Sequence, residues 1–128
     1  MSSPPVFRDP PGTASFKVPL YAGRVVIALT RNAYSEAVKR FSGHDTKHLR
    51  ECMGETSTFK TKDGRTLHVV GLFEDRSKVL VHELAHVTFR ILKDCGVPIN
   101  LSNDETFAYL LGALFDEAQT AMKKIRKR

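Results

Sequence analysis

The chain has 128 residues, 41% hydrophobic and 27% charged, enough for one compact domain that buries roughly two-thirds of its unfolded surface and too little for a two-domain enzyme. Its longest nearly apolar run, Ala108 to Phe115, falls far short of the ~20 residues that cross a bilayer, and Met1 to Gly12 carries four of the six prolines and no hydrophobic signal core. The formal charge of +6 is concentrated at one end. Without Lys123, Lys124, Arg126, Lys127 and Arg128, the remaining 15 cations and 14 anions nearly cancel. This composition excludes a membrane span and argues against a nucleic-acid partner, because no aromatic residues are interleaved with the basic tail. Cys52 and Cys95 are too few for a disulfide framework and are read as thiols of a cytosolic protein.

In chain order, residues 1 to 15 read as a Pro-rich flexible leader, 16 to 122 as a single domain and 123 to 128 as a basic, solvated tail. Two strands are expected between Phe16 and Thr30, with Ala22 and Gly23 at the bend. The second of them, Val25 to Leu29, is apolar enough to be central and buried. Asn32 is placed to cap a helix through Phe41, and a second short helix is expected from about Asp45 to Met53, ending at Gly54. Phe59 to Lys62 and Arg65 to Phe73 flank Asp63-Gly64, the dipeptide of a two-residue type I′ hairpin.

A long helix follows from Ser77 to Lys93, stopped by Gly96 and Pro98, with Leu80, Leu84, Val87 and Ile91 on its core face. The last helix starts after Ser102 and runs past Glu117, burying Phe107, Leu110, Leu111 and Leu114. The expected class is α+β: a small sheet with a β-hairpin, the helices packed on one face.

The third helix contains His82-Glu83-Leu84-Ala85-His86, an H-E-x-x-H sequence that arises in only about 1% of shuffled chains of this composition. One helical turn puts both imidazoles within reach of a single metal ion. Glu83 beside them is placed to act as a base toward water. This pattern points to Zn2+ as the cofactor and to metal-assisted hydrolysis.

A catalytic zinc takes a third protein ligand, and no histidine follows His86. Glu105, at the start of the next helix, is the candidate, and it forms a stripe with Tyr109 and Asp116 opposite the apolar core face. The same residue also completes an S-x-x-E capping box with Ser102, which would engage its carboxylate with backbone instead. Asp104 and Asp116 are the other acids within range. Tyr109, one turn on, is placed to donate its phenol to a developing oxyanion as a catalytic group. His44, His48 and Cys52 repeat at four-residue spacing without a fourth ligand nearby and read as surface residues, and His68 reads as a half-buried strand residue opposite Phe59.

The stretch VLVHELAHVTFRILKDCGVPINLSNDETFAYLLGAL, residues 79 to 114, resembles small bacteriophage- and prophage-encoded proteins with H-E-x-x-H on one helix and N-D-E-x-x-A-Y on the next, regarded as minimal thermolysin-like zincins. The resemblance implies a zincin-like fold, His82, His86 and Glu105 as zinc ligands and Glu83 as catalytic base. It also implies a metallopeptidase acting on peptide or protein substrates in a host bacterial cytoplasm. Such enzymes have Asp where this chain has Tyr109, so Asp116 or a backbone carbonyl would orient a ligand histidine. The rival from another class is a catalytically silent protein of the same fold that engages a host factor.

Overall fold

The computed structural model describes residues 7–44 and 52–128. Seven elements follow in order: β1 (Thr13–Lys17), β2 (Arg24–Ala28), α1 (Arg31–Ser42), β3 (Gly54–Lys60), β4 (Thr66–Leu72), α2 (Ser77–Asp94) and α3 (Asp104–Arg126). The class is α+β, with a mixed sheet of order β1-β2-β4-β3. β1 and β2 form an antiparallel pair, β2 runs parallel to β4, and β3 is antiparallel to β4.

The helices occupy both faces of the sheet, not one. Val25, Val26, Ile27 and Ala28 of β2 and Val69 and Val70 of β4 are all 0% exposed, so the two central strands need an apolar cover above and below. A parallel pair also requires a crossover, and that crossover carries α1. Ala33, Tyr34, Ala37 and Val38 of α1 pack on Val26, Ala28 and Val69. On the other face, Leu80, Leu84, Val87 and Ile91 of α2 and Leu110 and Leu114 of α3 pack on Val25, Ile27, Val70 and Leu72. α2 lies over β3 and β4, and α3 lies over β1 and β2.

Several boundaries depart from expectation for local reasons. β1 begins at Thr13, whose hydroxyl donates to the Pro10 carbonyl at 2.8 Å. Phe7 stacks on Phe41 at 5.5 Å, so part of the expected leader belongs to the fold. The cap of α1 is Thr30 rather than Asn32, its hydroxyl accepting from the Ala33 amide at 3.1 Å. The short helix expected from Asp45 lies outside the described residues, apart from Cys52 and Met53, which are not helical. The β3–β4 connection closes through Thr61 N–H to Arg65 C=O at 2.8 Å and Gly64 N–H to Thr61 C=O at 3.0 Å. Only Gly64 there has positive φ, at 85°. A type I′ turn needs positive φ at both central residues, so the loop is instead a three-residue turn with Gly64 as the left-handed residue.

α2 ends in a Schellman motif, Val97 N–H bonding Leu92 C=O at 2.9 Å and Gly96 N–H bonding Lys93 C=O at 3.1 Å, with Gly96 at φ 73°. α3 continues to Arg126. The basic end is tied down by Arg126 to Asp75 at 2.8 Å and by Arg128 to the Thr13 carbonyl at 2.6 Å, so it is not simply a solvated tail. Among the described residues no helix is long and apolar enough to cross a membrane.

Candidate metal centre

Residues four apart on a helix lie one turn above one another, and α2 thereby stacks His82 and His86 on its solvent side. Their Nε2 atoms are 3.2 Å apart, with the rings edge to face at 4.8 Å between centroids. Two zinc–nitrogen bonds of ~2.0–2.1 Å at a near-tetrahedral angle separate their nitrogens by about 3.3 Å. The pair therefore has the spacing of two corners of a zinc tetrahedron.

Glu83 lies 100° round the helix from His82 and is turned inward, 6% exposed. A buried carboxylate must be hydrogen-bonded. Thr56 of β3 donates its hydroxyl to Glu83 Oε1 at 2.7 Å, while Oε2 faces His82 Nε2 at 4.0 Å. The close approach of α2 to β3 depends on Gly54. A Cβ there would meet the Gly71 carbonyl at 2.9 Å, Val79 Cγ1 at 2.9 Å and Glu83 Cγ at 3.0 Å.

His82, Glu83 and His86 line an open cleft of about 550 Å³ between β3 and α2, with Gly54 to Thr56 and Thr58 on one wall and Phe89, Arg90 and Lys93 farther along the other. β3 is the last strand of the sheet among the described residues. The cleft is thus bounded by a strand whose outer edge is not engaged by the sheet. Thr56, Gly54, Arg90 and Lys93 were not singled out from sequence. The two cations recur at four and seven residues after His86, a helical spacing that marks them as neighbours of the histidines.

Glu105 and Tyr109 are not brought to this cleft. They line a separate groove with Pro19, Leu20 and Tyr21 of the β1–β2 turn, and Tyr109 is 77% exposed. The cause is the phase of α3. Phe107 packs on Phe89 of α2 at 4.9 Å, and Glu105, two residues earlier, projects about 160° away from it. The capping box is absent too. Asn103 is the N-cap, no side chain caps the helix, and the Ser102 amide donates instead to Asn100 Oδ1 at 2.9 Å. Glu105 is left as an acid in the first turn, favoured by the helix dipole. Among the described residues no group of three His, Cys, Asp or Glu side chains is placed to hold a metal ion.

His68 is buried in β4 opposite Thr58, not Phe59. It is 1% exposed, and its Nδ1 lies 2.8 Å from the Thr58 hydroxyl. Burial pushes its pKa down to about 4, so it is neutral at physiological pH. No protein-family model, curated protein or solved structure matches the chain.

Proposed function

We propose that this chain is a zinc-dependent metallopeptidase of minimal size, with His82 and His86 holding the ion and Glu83 acting as general base. The observation that carries the reading is the 3.2 Å Nε2 separation at the mouth of a cleft whose next side chain is a buried carboxylate. A zinc ion held there would supply Lewis-acid activation of a scissile carbonyl and of water. Thr56 fixes Glu83 Oε1 and leaves Oε2 on the histidine side, the oxygen suited to take a proton and return it to a leaving amine. The outer edge of β3 offers main-chain hydrogen bonds to an extended peptide.

The position of Glu105 favours a second reading. With the expected third ligand in another groove, the same cleft suits a catalytically silent protein that binds a peptide segment of a partner. Glu83→Gln separates the two. It keeps size and helix propensity but removes the base, so peptidase activity measured on a mixed peptide library falls by roughly 10²–10⁴-fold with zinc content unchanged. Equal cleavage by wild type and variant would refute Glu83 as base, and no cleavage by zinc-loaded wild type would support the silent protein.

A further inference from the structure

We infer that the cleft is a groove for peptides bearing a carboxylate, an Asp or Glu side chain or a free C-terminus, held about two to three residues from the histidine pair. The inference rests on reading the cleft as a peptide site. β3 and α2 run alongside each other in the same sense, Gly54 and Thr56 lying by Glu83 and Thr58 by Arg90. Beyond Arg90 the groove continues into a second cavity of about 400 Å³ lined by Thr58, Lys60, His68, Arg90, Asp94 and Cys95, among others.

Charge is divided along this path. Glu55 and Glu83 stand at the histidine end, while Arg90, Lys93 and Lys60 stand at the other, opposed there by Asp94 alone among the lining residues. Asp94 contacts Arg90 through Nε at 3.4 Å, and among the described residues the terminal guanidinium nitrogens carry no hydrogen bond or ion pair, so they can meet a second carboxylate. The floor of this end is His68, whose buried Nε2 has no hydrogen-bond partner among the described residues. Arg90 and Lys93 lie about 6 and 10 Å along the helix from His86. An extended chain advances about 3.3 Å per residue, which sets the two- to three-residue offset.

The test uses the 128-residue chain and eight-residue peptides of Ala, Thr and Val with Glu two or three residues to either side of centre. Their Gln counterparts, and pairs ending in a free carboxylate or an amide, complete the set. Affinities are measured by calorimetry, and the same mixtures are scored for cleavage by mass spectrometry. One side of centre should show a preference of Glu over Gln of about fivefold at low salt, shrinking as salt rises and lost in Arg90→Gln/Lys93→Gln. A preference confined to the carboxylate–amide pairs would identify the C-terminus as the source. Equal affinity for Glu and Gln peptides and for carboxylate and amide ends, or a preference untouched in the double variant, overturns the inference. Cleavage without preference overturns it while leaving the peptidase reading intact, whereas an Arg90-dependent preference without cleavage sustains it and removes the peptidase reading.

Discussion

His68 gives the fold a pH dependence of definite sign. His68 lies in β4 between Val25 of β2 and Thr58 of β3, its imidazole on the sheet face toward the C-terminal end of α2, and burial lowers its pKa from 6.5 to about 4. The unfolded chain takes up a proton near pH 6.5 that the native chain refuses until about pH 4. Stability from this group is therefore complete above pH 6.5 and is lost as pH falls through that window. Held from 6.5 down to about 4, the group contributes about 3 kcal/mol at 1.36 kcal/mol per tenfold change in proton affinity, a large part of the 5–15 kcal/mol typical of a domain. His68→Gln retains a hydrogen-bonding partner for Thr58 and removes the titration. Urea unfolding followed by circular dichroism at intervals from pH 7.5 to 4 gives the stability difference between wild type and variant, in which the ordinary carboxylates cancel. That difference should move by about 3 kcal/mol against the wild type as pH falls. Parallel stability curves would refute the burial argument.

Three further outcomes follow from the site. Titrated with Zn2+, wild type should take up close to one ion per chain through His82 and His86, and His82→Ala and His86→Ala should each lose that binding; a full equivalent bound by both variants, measured by calorimetry, removes the metal assignment. Glu105→Gln should leave zinc affinity within about twofold of wild type, because its carboxylate lines the groove beside Pro19 to Tyr21, and a tenfold loss by competition titration would put Glu105 in the coordination sphere. Gly54→Ala places a methyl at 2.9 Å from the Gly71 carbonyl and should cost about 1–3 kcal/mol in chemical unfolding through overpacking; an unchanged midpoint would show that β3 and α2 separate freely.

The elements were legible wherever a local rule decided them. The run Val25 to Ala28 marked a buried strand, the four-residue apolar spacing of α2 gave its core face, and Gly96 with Pro98 marked its end. The histidine pair was legible for the same reason, since helical spacing alone brings the two rings together. What escaped depended on contacts between distant segments. Covering the second face of β2 required α1, a consequence contained in the two-sided hydrophobicity of that strand. Thr56 reaches Glu83 across 27 positions of sequence, and only strand register reveals such a contact. Nor does the dipeptide Asp63-Gly64 by itself settle the loop length, because Thr61 and Arg65 close the turn one residue wider.

Glu105 shows where helical-wheel reasoning stops. The wheel correctly sets Glu105, Tyr109 and Asp116 opposite the buried side of α3, and exposure at all three positions agrees. A wheel fixes phase relative to the core; it leaves open which neighbour the opposite side meets. That depends on the place of the helix in its layer. Because α3 lies over β1 and β2 while α2 lies over β4 and the edge strand β3, the histidines open toward β3 and Glu105 and Tyr109 open toward the β1–β2 turn. Bringing Glu105 to His82 and His86 would mean turning α3 out of the phase that buries Leu110 and Leu114, 5% and 0% exposed. At roughly 1.5–3 kcal/mol for each large apolar side chain exposed, exposing both leucines would cost about 3–6 kcal/mol. Glu105 therefore becomes a third ligand in this fold only at the expense of the core.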